Sequence, residues 1–270
     1  MRSDVPPPPA PLAIAVLDSH THLDIVGGDP VAHIAAATAV GVDRLVQVGT
    51  DVPSSRWAAD LAATHDAVLA AVAVHPNDAA RLSDLDTALR EIEALAAHPR
   101  VRAVGETGLD YFRTGPAGRP IQEESFRAHI AIAKRYDKTL VIHDRDAHAD
   151  ILRVLDEEGA PDRVVMHCFS GDAAFAAECV KRGFLMSFAG TLTFHNAQSL
   201  RDAAAVAPLD GLLVETDAPF LTPMPYRGRP NRSYLIPLTV RALTRAAGAD
   251  LDTLCAAISA NGERAFGPWR

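Results

Sequence analysis

Eight short apolar runs recur along the chain, separated by alanine-rich stretches. They are AIAVLDSH (13–20), RLVQVGT (44–50), LAAVAVH (69–75), VRAVGET (101–107), TLVIHD (139–144), RVVMHCF (163–169), GFLMSFA (183–189) and GLLVETD (211–217). The runs are near-continuous rather than alternating, the pattern of parallel strands covered on both faces. Helical signals fall between them. Asp29 and Pro30 open one helix and Gly41 closes it, an N-cap, N1-proline and C-terminal-glycine arrangement. Ser83 is expected to cap a second, with Leu85, Leu89, Ile92 and Leu95 on one face. Ile121, Ser125, Phe126, Ile130 and Ala133 outline a third. Eight strand-plus-helix units predict an α/β fold, a single (β/α)8 TIM-like barrel. An open doubly wound sheet is the rival, weakened because no Gly-rich phosphate loop follows any strand.

A chain of 270 residues suits one such domain, and no linker divides it. The barrel is placed at 12–270, behind a Pro-rich leader over 1–11 expected to be disordered. A cleaved signal peptide is rejected, because cleavage would remove part of the first strand. No apolar stretch is long enough to span a bilayer. Cys168, Cys179 and Cys255 form no CxxC pair and leave an odd count, which favours a reducing, cytoplasmic setting. Cys168 alone lies near a motif, and a buried apolar role is expected for it. The formal net charge of −8 argues against a basic nucleic-acid coat protein. It leaves room for an enzyme that meets phosphates locally.

The polar residues stand where the strands end. Strand one closes on His20 and His22, strand three on His75, strand four on Glu106. Strand five closes on His143, strand six on His167 and strand eight on Asp217. His20 and His22 are two apart, so in extended backbone they project to the same side. In a barrel all these ends converge on the rim that carries active sites. Burying so many polar groups together without partners costs about 1–3 kcal/mol each, and a metal centre supplies the partner. The expected ligands are His20, His22, Glu106, His143, His167 and Asp217.

His75 is followed by Pro76 and is expected to touch substrate or orient a ligand. His33, His65, His98, His129 and His148 fall in helices or loops and read as surface or supporting residues; His195 is left unassigned. The layout resembles the amidohydrolase superfamily, whose strand-four bridging group is often a carboxylated lysine. Here Lys134, Lys138 and Lys181 are the only lysines and none ends a strand, so Glu106 takes that place. A carboxylate can bridge two metals about 3.5–4 Å apart, as in two-metal hydrolysis. Asp217 is both the last ligand and the natural base; its bland alternative is a helix N-cap.

The stretches DSHTHLD, AVHPND, GETGLDY, IHDRDA, HCFSG and ETDAPFLTP occur in that order. Together they resemble the TatD family of metal-dependent deoxyribonucleases over residues 18 to about 233, and NGERAF resembles the family's usual ending. The resemblance implies hydrolysis of DNA phosphodiesters, often as a 3′-to-5′ exonuclease. It implies one metal on His20, His22, Glu106 and Asp217, and another on Glu106, His143 and His167. Magnesium or manganese is the implied activator, whereas an imidazole-rich shell favours zinc. The chain departs from the family at Arg232-Ser233, where Glu-Pro is common. It also departs at Asn77, in place of a second histidine, and at His129, in place of a glutamine.

Hydrolysis by metal-activated water is therefore expected, with DNA as substrate and the chain acting as a monomer without a stable protein partner. Among arginines Arg113, Arg119, Arg145, Arg227, Arg229 and Arg232, the expected phosphate clamps are Arg145 and Arg227. The rival chemistry is cleavage of an amide, lactone or aminoacyl ester, since the same nucleophile attacks carbonyl carbon. A non-catalytic metal-binding scaffold is the third reading.

Overall fold

The computed structural model describes residues 4–269. Its strands are β1 (Val16–Thr21), β2 (Val42–Val48), β3 (Val68–Val72), β4 (Val101–Asp110), β5 (Thr139–Arg145), β6 (Val164–Met166), β7 (Leu185–Phe188) and β8 (Leu212–Val214). They form one eight-stranded sheet in chain order. The pairings β3–β4, β4–β5, β5–β6 and β7–β8 are parallel. A parallel bridge between Thr21 and Ala218 brings the ends of the first and last strands together. This is the (β/α)8 TIM-like barrel class that the eight apolar runs predict. Every residue of β1, β3, β6, β7 and β8 is buried, polar ones included.

The helices are α1 (Leu23–Val26), α2 (Pro30–Thr38), α3 (Val52–Thr64), α4 (Pro76–Ala79), α5 (Leu85–Ala96), α6 (Arg119–Arg135), α7 (His148–Glu158), α8 (Ala173–Lys181), α9 (Gln198–Val206), α10 (Ile236–Ala247) and α11 (Leu251–Phe266). Asp29 caps α2 through Val31 N–H, with Pro30 in the first turn. The cap of α5 is Asp84, not Ser83: its carboxylate accepts from Thr87 N–H at 2.9 Å. A carboxylate adds favourable charge at the helix N-terminus, which a serine lacks.

The chain falls into two compact units. One comprises the chain up to Val46, Cys168–Arg264 and Trp269; the other comprises Gln47–His167 and Ala265–Pro268. Of the Pro-rich leader, residues 1–3 lie outside the described residues. From residue 4 the leader has no helix or strand. The Pro6 carbonyl accepts from the Tyr234 hydroxyl at 2.5 Å and the Pro11 carbonyl from Arg241 at 3.1 Å. No helix among the described residues is long and apolar enough to cross a membrane.

Candidate metal centre

In the first unit, β1 carries Asp18 and His20, and His22 follows one residue beyond its end. The backbone just after β8 runs alongside: Asp217 N–H donates to the His20 carbonyl and His22 N–H to the Ala218 carbonyl, both at 2.9 Å. Asp217 takes a left-handed conformation, φ 54°, which aspartate tolerates better than most residues. The result is a compact triangle. His20 Nε2 lies 3.2 Å from His22 Nε2, and Asp217 Oδ1 lies 3.3 Å from His22 Nε2 and 3.8 Å from His20 Nε2. Among the described residues no helix starts directly after Asp217, whose backbone carbonyl accepts from Phe220 N–H in a turn.

Asp18 holds this triangle from beneath. It accepts from Thr216 N–H at 2.9 Å and from the Thr216 hydroxyl at 2.6 Å. Complete burial pushes its pKa up to about 7, against the lowering effect of those hydrogen bonds. Asn231, also buried, donates to the Thr216 and Phe220 carbonyls at 2.9 and 2.7 Å. The segment that carries Asp217 is thus pinned at both ends. Arg232, at the departure from the family pattern, donates to the Asn231 carbonyl.

In the second unit the centre is Glu106, a buried carboxylate surrounded by imidazoles. Its Oε2 lies 3.0 Å from His143 Nδ1, 3.1 Å from His167 Nε2 and 3.7 Å from His75 Nε2. Glu106 does not end its strand, since β4 continues to Asp110. It sits where the β4–β5 register shifts between Val104 and Thr107, and such irregularities re-aim a side chain. Flanking glycines allow this close approach. A Cβ on Gly108, at φ +139°, would overlap the His143 carbonyl oxygen, and one on Gly105 would strike Val141.

His143 spans two carboxylates, with Nε2 3.2 Å from Asp110 Oδ2. Burial lowers its pKa, but the hydrogen bonds to Asp110 and Glu106 outweigh this and raise it. Burial likewise pushes Asp110 up, and its hydrogen bonds with His143, Arg113 N–H and Asn77 overcome that, holding it well below the usual carboxylate range. Burial lowers His75 to about 4 despite Glu106, so it is neutral near pH 7. Its Nδ1 accepts from Asn77 N–H at 3.1 Å. A neutral ring with Nδ1 accepting carries its proton on Nε2. His75 therefore faces Glu106 as a donor rather than with a lone pair.

A family model described as TatD related DNase matches residues 17–267. The chain belongs to the TatD family. The TatD metal-dependent hydrolase of Mycobacterium tuberculosis is 46% identical over 260 residues, covering 93% of this chain and 98% of that protein. A Citrobacter rodentium relative named 3′-5′ ssDNA/RNA exonuclease TatD is 34% identical over 241 residues, covering 87% and 90%. The crystal structure of the TatD homologue YJJV from Escherichia coli superimposes with a TM-score of 0.87 at 28% identity, covering 93% and 97%. The chain is thus a TatD-family metal-dependent hydrolase.

The donor sets fit a divalent ion. With metal–nitrogen bonds of about 2.0–2.1 Å, neighbouring donors on one ion sit roughly 3.0–3.4 Å apart. The 3.2 and 3.3 Å separations in the first unit, and the 3.0 and 3.1 Å separations around Glu106, fall in that range. The donor atoms of His20, His22 and Asp217 all lie within 4.8 Å of one another; so do those of His75, Glu106 and His143, although there His75 turns a proton and not a lone pair toward Glu106.

Among the residues with sequence-based roles, Arg145 and Arg227 hold their guanidinium carbons over aromatic rings, 3.9 Å from the centre of Phe112 and 4.3 Å from that of Phe194. Stacking leaves the guanidinium edge free to donate in plane. Arg119 lies over Tyr111 in the same way. His129 is no surface residue: it is fully buried, accepting on Nε2 from Val74 N–H at 3.1 Å with Nδ1 2.7 Å from the Ser125 carbonyl. It ties α6 to the end of β3.

The sequence reading missed Asp110, Asn77's role and Asp18. Asp110 lies in the quoted GETGLDY stretch, four residues past Glu106 and so on the same side of an extended strand. Asp18 precedes His20 by two and shares its side for the same reason. Asn77 donates to Asp110 Oδ2 at 2.8 Å.

Proposed function

We propose that this TatD-family hydrolase cleaves DNA phosphodiester bonds, working from the 3′ end. In this reading it holds two divalent ions, one on His20, His22 and Asp217 and one on Glu106, His143 and His167. Glu106 is assigned the shared carboxylate on the strength of the sequence. The observation that carries the reading is the ring of imidazoles closed on the buried Glu106, with Arg145 two residues beyond His143 on β5. The exonuclease name of the Citrobacter rodentium relative points the same way.

Bound ions supply Lewis acidity at a phosphoryl oxygen and lower the pKa of water. The protein does the rest. Asp217, 17% exposed against 5% for Glu106, is the more accessible carboxylate and takes the proton of the attacking water. His75 donates from Nε2, steadying Glu106 or a phosphate oxygen. Asp110 keeps the His143 Nε2 proton in place, so that Nδ1 presents its lone pair. Arg145 and Arg227 grip flanking phosphates through their in-plane N–H groups. Magnesium, manganese and zinc are the candidate ions, and Cys168, Cys179 and Cys255, which form no disulfide, suit a cytoplasmic setting.

Metal analysis of the purified protein, followed by digestion of end-labelled oligonucleotides with each ion, tests the proposal. Stepwise shortening from the 3′ end is expected. Intact oligonucleotides with every ion, alongside hydrolysis of a carboxylic ester or lactone, would overturn it in favour of carbonyl chemistry.

A further inference from the structure

A crevice of about 540 Å³ opens between α9 and α10, and none of its lining residues belongs to the metal centre. Its volume falls within the roughly 300–1,000 Å³ of small-molecule sites. One wall carries Arg201 and Asp202 of α9. The other carries Arg241 and Arg245, four apart on α10 and so on one face. Leu192, Met224 and Leu238 supply apolar surface. The chain as a whole is acidic, with a formal net charge of −8, yet here three guanidiniums face one carboxylate.

The walls are fixed by the protein's own hydrogen bonds. Arg201 donates through Nη1 to the Leu192 and Phe194 carbonyls, at 3.2 and 2.9 Å, and through Nε to Gln198 Oε1 at 3.2 Å. It serves as a brace. Met224 N–H donates to the Thr193 hydroxyl at 2.8 Å, which fastens Met224 to the turn Gly190–Thr193. Arg241 donates through Nη1 and Nη2 to the Pro237 and Pro11 carbonyls, each at 3.1 Å, and keeps its Nε–H for another acceptor. Among the described residues no hydrogen bond or ion pair engages the Arg245 guanidinium.

An arginine in the last turn of a helix ordinarily answers the carbonyls there, which would account for Arg245 by itself. It does not account for Asp202. The Asp202 Oδ1 accepts from Gln198 Nε2 at 2.8 Å, and among the described residues the carboxylate pairs with none of the three arginines. Opposite charges that line one crevice without meeting leave a gap for a ligand bearing both kinds of partner. Two guanidinium forks suit an anion with several oxygens, a phosphate above all. A carboxylate suits a hydroxyl donor, as it does on a ribose. A thioether among leucines suits a flat ring.

We propose that the crevice between α9 and α10 is a second binding site, for a nucleoside monophosphate. Arg241 and Arg245 hold the phosphate, Asp202 accepts from a sugar hydroxyl, and the base lies against Leu192, Met224 and Leu238. The site stands on its own lining and not on the chemistry proposed for the metal centre.

Isothermal titration calorimetry of the full-length, metal-loaded protein tests it, with adenosine monophosphate, adenosine and inorganic phosphate as probes. Arg245→Ala is expected to weaken adenosine monophosphate about tenfold or more, the worth of a hydrogen bond to a charged group, and to leave adenosine unchanged. Asp202→Ala is expected to weaken adenosine monophosphate several-fold without weakening inorganic phosphate. Both residues are exposed, so the variants keep their fold. Adenosine monophosphate bound as tightly by both variants as by the wild type, or not bound at all, overturns the site. Binding no tighter than that of inorganic phosphate overturns the nucleoside. Binding that depends on Arg245, in a protein that shortens no oligonucleotide, would sustain the site and overturn the nuclease reading alone.

Discussion

Asp110 Oδ2 lies 3.2 Å from His143 Nε2, and on the other side of the same ring Nδ1 lies 3.0 Å from Glu106. The ring is thereby held between two carboxylates, which raise its pKa against the effect of burial. Asp110 is itself held in place by Asn77 and by Arg113 N–H, each at 2.8 Å. Asp110→Asn is expected to weaken metal affinity about 10- to 100-fold, the usual cost of losing a partner behind a ligand histidine. Titration against a competing chelator measures it. Unchanged affinity in a folded variant would show that Asp110 does not orient the ring.

Gly108→Ala places a methyl group into the His143 carbonyl at a backbone angle that L-residues avoid. A loss of roughly 2–4 kcal/mol in unfolding free energy is expected, together with weakened metal binding, because β4 must move away from β5. Urea denaturation gives the first number. Wild-type stability would show that the strands separate without cost.

His129 predicts an acid-side instability. Burial lowers its pKa to about 4 in the folded protein, against 6.5 for an exposed imidazole, with the Ser125 hydrogen bond opposing. The unfolded chain therefore binds the proton first, so stability is full above about pH 6.5 and declines as pH falls toward 4. The loss amounts to roughly 3 kcal/mol over that window. His129→Gln, which cannot titrate, is expected to flatten this slope. Denaturation midpoints of both proteins at pH 4.5 and 7.5 check it; an equal gap at the two pH values would sink the argument.

If each cluster holds its own ion, the two can be emptied separately. His22→Ala is expected to bring the bound metal down from two ions per chain to one. His167→Ala is expected to do the same from the other cluster. Elemental analysis after desalting reads the count, and a variant that retains both ions would reassign that histidine.

Arg145 gives a salt test. Binding of a single-stranded oligonucleotide should weaken linearly on a log–log plot against salt. Arg145→Ala is expected to reduce the slope by about one phosphate contact. An unchanged slope would leave Arg145 with no part in holding phosphate.

The barrel was legible because burial on both sheet faces leaves long apolar runs that punctuation by helices makes countable. The six residues proposed as ligands stand out in the sequence because a polar residue at the end of such a run is conspicuous. His20, His22 and Asp217 meet in one cluster, and Glu106, His143 and His167 in another. Asp110 escaped because strand four was read as ending at Thr107, whereas a register irregularity carries it three residues further. Asp84 and His129 escaped for a similar reason. Neighbouring serines and aspartates cap equally well by pattern, and whether a helical histidine faces in or out depends on what packs against it.

The two clusters differ in how far apart their members lie along the chain. Those around Glu106 come from residues 75 to 167, while His20 and His22 await Asp217, which is made 195 residues after His22. At the usual pace of ribosomes that interval lasts about 10–40 s. The triangle of His20, His22 and Asp217 therefore closes only when most of the chain has left the ribosome, so its geometry is an outcome of late folding.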